Sequence, residues 1–242
     1  MNILGINGFL QHVYQVCRLK VGSGSLMAPV CSSFVFVSRG STKRSALSPE
    51  GDPSAPSVRD GNIILCRTLV LLYICAALRV WFMLEQPKGS IMQEHPAFRN
   101  FIKHVSLWRH YIAMRDYGAP TQKPTWLYSS LKCIESLSQF RPRQLPKIVE
   151  EEPKEMVIHY KDKEGKARIQ GGKDLKSSEN YPIWFGRSMS RMRSRYAAQV
   201  RKDAKKIVKR YLKHCKAVPI NSKGSPKWIK WANLQPVLDC FL

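Results

Sequence analysis

The apolar run at residues 63–84, IILCRTLVLLYICAALRVWFML, constrains the fold of this chain more than any other feature. Between Arg67 and Arg79 lie 11 residues without a charge. At about 1.5 Å per residue they cover about half of a hydrocarbon core of about 30 Å. A span extended over residues 68–84 has 17 residues and includes Arg79, which would have to snorkel out of the bilayer. One interpretation of the run is therefore a short membrane anchor.

The other interpretation divides the same run into a helix and a buried strand. Residues Cys66–Val80 are rich in Leu and Ala, which favour a helix, whereas Val80–Leu84 is short, aromatic and apolar. The polar residues of Glu85–Gly89 follow at once, as is typical of a central parallel strand that ends at the carboxyl edge of its sheet. This interpretation predicts that Glu85 lies at that edge.

Two further elements continue this layer. Phe98, Phe101, Val105, Trp108 and Ile112 recur at spacings of three and four, which predicts one amphipathic helix over Met92–Tyr117. The apolar stretch Thr125–Tyr128 follows a Pro/Gly-rich turn and is predicted to be a strand. The order helix-strand-helix-strand predicts an α/β fold with a partial Rossmann-like layer.

The sequence of the second half of the chain predicts a β-hairpin followed by a long helix. Met156–Tyr160 and Ala167–Gln170 alternate in polarity around a Gly-containing turn, which indicates a β-hairpin. From Arg187 to Lys216 apolar residues recur on one face, and the other face is cationic, which predicts a long basic amphipathic helix.

These patterns divide the chain into six segments. Residues 1–61 are rich in Gly, Ser and Pro and are predicted to be a disordered leader or linker. The following segments are a partial α/β domain at 62–139, a Pro/acidic linker at 140–155, the hairpin region at 156–186, the basic helix at 187–216 and a Lys/Trp tail at 217–242.

The charge of the chain favours polyanionic partners. Forty Lys and Arg residues against 17 acids give a net charge of +23, and residues 187–230 contain 15 Lys and Arg against the single acid Asp203. Basic residues with interleaved aromatic rings suit phosphate neutralisation and base stacking. An anionic membrane or an acidic protein would also fit this charge. The predicted nucleic-acid-binding residues are Arg187, Arg191, Arg193, Arg195, Arg201, Lys202, Lys205, Lys206, Lys209, Arg210, Lys213, Lys227, Trp228, Lys230 and Trp231.

The sequence gives little support to a metal site or a cofactor site. The seven cysteines contain no C-x-x-C pair, and His104 and His110 are six residues apart, on different faces of a helix. We therefore expect no metal site. The chain has no Gly-rich phosphate-binding or nucleophile-elbow motif, so that we expect no cofactor.

Several short motifs in a fixed order carry a resemblance. Over roughly residues 62–200 the chain resembles a multicopy family of uncharacterised dinoflagellate proteins, a family without an established activity to carry over. The motifs are RTLVLL (67–72), WFMLEQPKGS (81–90), HPAF (95–98), YGAPTQKPT (117–125), YKDKEGKARIQG (160–171), LKSS (175–178) and YPIWFG (181–186).

A more distant similarity joins the strand ending in Glu-Gln-Pro to the later motif YGAPTQKPT. This arrangement resembles the middle of cytosine-5 DNA methyltransferase-like proteins. The resemblance implies that Glu85 contacts a target base, which makes it the one candidate for a catalytic residue. It also implies that Lys123 and Thr125 belong to a loop on the substrate side. The family also has a Gly-rich cofactor loop and a Pro-Cys nucleophile upstream, whereas here Cys31 follows Val30. The resemblance therefore implies a fold fragment that lacks the means of methyl transfer.

The expected function is noncatalytic nucleic-acid binding through the basic helix. The alternatives are a degenerate or truncated methyltransferase-like protein, a membrane-anchored protein held by residues 68–84, and an organellar ribosomal protein. A nuclear or organellar location suits the charge better than secretion, and a membrane location stays open.

Overall fold

A computed structural model of the chain describes residues 2–143, 157–172 and 179–216, with side chains described as far as residue 210. Over these residues the protein is mixed α/β, with a four-stranded mixed sheet and a separate two-stranded hairpin. The α/β class predicted from the sequence is thereby confirmed. The chain divides into two compact units, Met1–Met189 and Ser190–Leu242.

The first sixty residues differ from the disordered leader that their composition predicts. Helix α1 spans Ile6–Cys17, strand β1 spans Gly24–Met27, and the short helix α2 spans Arg39–Thr42. The glycines permit close packing here, because a Cβ atom on Gly24 would lie 1.9 Å from the Trp81 ring. Low hydrophobicity misled the prediction, since a few apolar side chains, among them the fully buried Phe34, suffice to dock this segment.

The apolar run at 63–84 contains a helix and a strand. Helix α3 spans Pro56–Ala77, and strand β2 spans Trp81–Pro87. Between them Arg79 adopts a positive φ of 55°, so that residues 68–84 are not one transmembrane helix. By length and composition alone, α3 is the one helix of the described residues that could cross a membrane, and 44% of its most apolar window is buried inside the protein.

The prediction of one helix over Met92–Tyr117 is wrong. Helix α4 spans only Pro96–His104, and strand β3 follows at Trp108–Ala113. Strand β4, at Pro124–Ser129, confirms the strand predicted around Thr125–Tyr128. Trp108 and Ile112 are four residues apart, as on one face of a helix, but they also lie on the same face of a strand. Both a helical and a strand period therefore fit this segment. The structure has the strand, in which all six residues of β3 pair with β4.

The sheet has the strand order β1-β2-β4-β3. Strands β1 and β2 are parallel, whereas β4 is antiparallel to both β2 and β3. One face of the sheet packs on α3 and α4 through a cluster of buried side chains that includes Leu72, Phe82, Leu84, Phe98 and Phe101.

The remaining described elements are the hairpin and the last helix. Strands β5, at Val157–Lys161, and β6, at Ala167–Gly171, pair antiparallel, which confirms the predicted hairpin. Helix α5 spans Ile183–Lys216. Most of the predicted linker at 140–155 and all of the predicted tail at 217–242 lie outside the described residues.

Candidate functional site

Three chain segments bring polar side chains to one edge of the sheet. Because β1 and β2 are parallel, their carboxyl ends share an edge, and the antiparallel strand β4 begins at that edge. Cys31 follows β1, Glu85 lies near the end of β2, and Lys123 immediately precedes β4. We call Cys31, Glu85, Lys123 and the neighbouring Tyr181 the edge cluster. Open α/β sheets bind ligands at such carboxyl edges.

Glu85 is the centre of the edge cluster. Its side chain is only 6% exposed, and its Oε1 atom lies 3.5 Å from Lys123 Nζ. Among the described residues this buried oxygen accepts no hydrogen bond. Lys123 has a positive φ of 34°, a conformation that costs free energy in a residue other than glycine. A buried ion pair with an unfilled acceptor and a strained partner is a common arrangement at functional sites.

Tyr181 and Cys31 complete the edge cluster. Burial, with the charge of the Glu85 carboxylate and hydrogen bonding to it, raises the pKa of Tyr181 far above its ordinary value. The Lys123 ammonium lies 4.5 Å from the centre of the Tyr181 ring. Burial and, to a smaller extent, the Glu85 charge raise the pKa of the Cys31 thiol to about 11, against the opposing effect of the Lys123 charge. The four side chains therefore act on one another electrostatically.

The chemistry open to this cluster follows from those charges. A thiol with a pKa near 11 is protonated at neutral pH, and the thiolate is the form that attacks an electrophile. Glu85, in contrast, offers a buried acceptor to a ligand that carries N–H or O–H donors. The cluster as it stands is suited to binding rather than to covalent catalysis.

The sequence identified part of this cluster. Glu85 was predicted at the carboxyl edge of its strand, and Lys123 and Thr125 at a neighbouring loop through the resemblance. Thr125 is buried, and its hydroxyl donates to the Lys123 carbonyl at 2.9 Å. Cys31 and Tyr181 were missed as members of the site. Cys31 lies in the segment that composition predicts to be a leader. Its position beside Glu85 follows only from the parallel pairing of β1 with β2.

Helix α5 presents the second candidate site. From residue 187 to residue 210 it carries ten Lys and Arg side chains and one acid, Asp203, and all ten cations are exposed. Arg187 belongs to the first compact unit, where its guanidinium lies 4.6 Å from the Trp184 ring. The nine in the second unit form what we call the cationic face: Arg191, Arg193, Arg195, Arg201, Lys202, Lys205, Lys206, Lys209 and Arg210.

The opposite stripe of α5 is apolar. Met192 is 2% exposed and Ala204 is 3% exposed. Ile207, which the sequence predicts on the apolar stripe, is 48% exposed, whereas the next residue, Val208, is half-buried. The buried stripe is therefore shifted by one residue at this point. The side chain of Lys213, and all of Lys227, Trp228, Lys230 and Trp231, lie outside the described residues.

The histidines take part in local structure. His110 shares a hydrogen bond of 2.8 Å with the Ser138 hydroxyl, and it lies on β3 rather than on the predicted helix. In the described ranges no three His, Cys, Asp or Glu side chains form a group that could hold a metal ion.

Comparison of the chain with protein-family models, with curated proteins and with solved structures finds no significant match.

Proposed function

We propose that this protein binds nucleic acid through the cationic face of α5. The observation that carries the proposal is the charge of one helical surface: between residues 187 and 210, ten exposed cations stand against one acid. Phosphate backbones neutralise such surfaces and release condensed counterions, which drives binding without regard to sequence. A long basic amphipathic helix is the element that would carry this function.

The spacing of the cations supports a polyanionic partner. Arg191 and Arg195, Lys202 and Lys206, and Lys205 and Lys209 are four residues apart. Like charges at this spacing destabilise a helix by a few tenths of a kcal/mol per pair. A phosphate between two such side chains converts the repulsion into attraction, so that binding stabilises the helix.

A nucleic acid suits α5 better than a membrane surface. A helix that lies on a bilayer inserts its apolar face between the lipids. The apolar stripe of α5 contains Met192 and Ala204, which are buried within the protein. Burial of these two side chains leaves less apolar surface for a bilayer, whereas the exposed cations of α5 match a phosphate backbone.

A pair of charge-matched variants tests this proposal. Arg191, Arg195, Lys202 and Lys206 are replaced by Gln in one full-length variant, and the exposed Lys20, Lys161, Lys163 and Lys166 in the other. Both variants lose four positive charges. We expect the α5 variant to bind a labelled oligonucleotide at least tenfold more weakly than the wild type, and the control to bind within about twofold. Equal losses in both variants would show that net charge, and not α5, carries the binding.

The edge cluster supports a second candidate function. We propose, as the alternative, that the chain is a degenerate methyltransferase-like protein with a partial Rossmann-like layer, in which Glu85 contacts a base. The supporting observation is that Cys31 lies close enough to Glu85 and Lys123 for their charges to shift its pKa. The protonated thiol favours base binding without methyl transfer.

Glu85→Gln tests this alternative, because it removes the charge and keeps the shape of the side chain. If Glu85 reads a base, the variant changes the ratio of affinities for oligo-dC and oligo-dT at one salt concentration. If that ratio is the same in the wild type and the variant, Glu85 has a structural role in its ion pair with Lys123.

A further inference from the structure

Strands β3 and β4 carry a row of alternating cations and aromatic rings on one face of the sheet. Tyr111 and Trp126 are directly opposite each other in the register, with ring centroids 5.5 Å apart and planes at 70°. The Arg109 guanidinium lies 4.3 Å from the Trp126 ring centroid. Lys88 Nζ lies 5.4 Å from that of Tyr111. We call these four side chains the stacking row.

The stacking row is open to solvent. Tyr111 is 41% exposed, Lys88 and Arg109 are exposed, and Trp126 is half-buried. Further inward the same face of the sheet becomes core, with Leu84 and Phe98 buried. Trp126 packs against the core with part of its ring, whereas Tyr111 and the exposed part of Trp126 offer stacking surface to a ligand.

A cleft of about 500 Å³ adjoins the row between α4 and the sheet. Its lining includes Gln93, Phe98, Arg99, Ile102, Arg109 and Tyr128. The Tyr128 hydroxyl donates to Gln93 Oε1 at 2.7 Å, and Arg109 donates to the same oxygen at 3.0 Å. These two bonds hold the Arg109 guanidinium against the Trp126 ring before any ligand arrives, which lowers the entropic cost of binding.

We propose that the stacking row and the cleft bind the unpaired bases of a single-stranded nucleic acid. Nucleobases stack on aromatic rings and on the planes of arginine side chains. Lys88 and Arg109 place positive charge beside the rings, where the phosphates of such a strand would lie. This site deepens the proposed function: α5 supplies affinity for phosphate in general, and the row adds a preference for exposed bases.

The chemistry of the row selects unpaired bases over a duplex. In a duplex the faces of the bases are covered by their neighbours, so the rings of Tyr111 and Trp126 could meet only the backbone and the edges of the bases. The acid lining the cleft, Glu94, is ion-paired with Arg99, so its charge does not repel a phosphate strongly. RNA and DNA share the required chemistry, and the test below separates them.

An abasic oligonucleotide tests the site, because it keeps the phosphates and lacks the bases. The full-length protein is titrated with 12-mers of oligo-U, oligo-dT and abasic DNA at one salt concentration. Stacking is worth about 1–3 kcal/mol per base. We therefore expect wild-type protein to bind oligo-dT at least tenfold more tightly than the abasic strand. Tighter binding of oligo-U than of oligo-dT would identify RNA as the partner, and the reverse would identify DNA.

The variants Tyr111→Leu and Arg109→Gln are each expected to bring the ratio of oligo-dT to abasic affinity close to one. Tyr111→Phe retains a ring and is expected to retain the ratio, which separates loss of stacking from loss of folding. The matched control is the exposed pair Tyr14 and Arg18 on α1, whose guanidinium lies 5.3 Å from the ring. Tyr14→Leu and Arg18→Gln should leave the ratio unchanged.

The outcomes distinguish this inference from the proposed function. If wild-type protein binds both strands equally and the α5 variant still binds more weakly, the stacking site is overturned and the function of α5 stands. If base preference persists while the α5 substitutions have no effect, the proposed role of α5 falls and the stacking site stands. If no strand binds, both are overturned.

Discussion

Arg44 is the residue that most clearly ties the N-terminal segment to the rest of the protein. It is 2% exposed, and its guanidinium lies 3.8 Å from the centre of the Phe34 ring. Burial lowers its pKa to about 10. Its donors bond to the Pro49 carbonyl, Ser33 Oγ at 3.3 Å, the Val58 carbonyl at 3.2 Å and Asn62 Oδ1 at 2.8 Å. One side chain thus connects the turn after α2 with α3.

Arg44→Met should destabilise the protein strongly. The substitution leaves several buried acceptors without a donor, and each such loss costs about 1–3 kcal/mol. We expect the free energy of unfolding, measured by urea denaturation, to fall by about 3 kcal/mol or more. The neighbouring Lys43 is exposed and pairs with Asp52, so Lys43→Met is the control and should have a much smaller effect. Equal effects would show that Arg44 does not anchor the segment.

His95 is expected to make the stability of the protein depend on pH. Its Nδ1 accepts the Ala97 N–H at 3.2 Å and caps α4. Burial lowers its pKa below 6.5, and the charge of Arg44 adds to this shift. Below pH 6.5 the unfolded state therefore binds the proton more readily than the folded state. We expect stability to be complete above pH 6.5 and to decrease as the pH falls below that value.

His95→Asn tests this dependence, because asparagine also caps helices but does not titrate in this range. Urea unfolding at pH 7.5 and pH 5.5 should show a smaller loss of stability in the variant than in the wild type. Part of the loss should remain, since burial and the charge of Arg141 also lower the pKa of His110. If the variant and the wild type lost the same amount of stability between pH 7.5 and pH 5.5, His95 would be excluded as a source of the pH dependence.

Cys31 should react slowly with alkylating reagents at neutral pH. Burial holds its pKa near 11, and only the thiolate reacts. Cys17 and Cys66 are exposed and serve as internal controls. Mass spectrometry after iodoacetamide treatment at pH 7.5 should find Cys31 at least tenfold less modified than either control. Faster modification of Cys31 would indicate an activated nucleophile and would support catalysis at the edge cluster.

At the scale of elements, the N-terminal segment is a test of the fold itself. Phe34 is fully buried, whereas Phe36, two residues on, is 55% exposed. Phe34→Ala should lower the free energy of unfolding by about 3–5 kcal/mol, and Phe36→Ala should change it by less than about 1 kcal/mol. Urea denaturation measures both. If both variants changed the free energy of unfolding by a similarly small amount, residues 1–61 would not be packed on the rest of the protein and would be a disordered leader.

The elements differ in how far the sequence predicts them. The change from α3 to β2, strand β4 and the hairpin follow from local composition and turn residues, and the structure contains all of them. The boundary between α4 and β3 does not follow, because Trp108, His110 and Ile112 fit both a helical and an alternating pattern. Strand β1 is also beyond local reasoning, since its four residues gain their order from pairing with β2, more than fifty residues later.

The candidate site shows the same limit. Glu85 was placed at a sheet edge because a polar Pro/Gly stretch follows an apolar strand. The partners Cys31, Lys123 and Tyr181 come from segments far apart in the sequence, and only the strand order β1-β2-β4-β3 brings the first two to Glu85. The stacking row could not be predicted from the sequence, because it depends on the register of β3 with β4, which places Tyr111 opposite Trp126.

At the scale of the whole molecule, positive charge is concentrated on α5 and aromatic stacking surface on the sheet. The net charge is +23, and residues 190–210 of the second compact unit carry nine exposed cations. Under the proposed function, α5 would bind the phosphates of a nucleic acid and the stacking row its bases. An organellar ribosomal protein would share this chemistry, and cofractionation with ribosomes would assign the protein to that class.

The salt dependence of affinity shows whether nucleic acid binds through α5. Affinity of the full-length protein for a labelled single-stranded oligonucleotide is measured between 50 and 300 mM salt. About four or more phosphate contacts to α5 predict a slope of log affinity against log salt of about −3 or steeper. Replacing Arg191, Arg195, Lys202 and Lys206 by Gln should make that slope much shallower. A slope near zero in the wild type, or the same slope in the variant, would contradict nucleic-acid binding through α5.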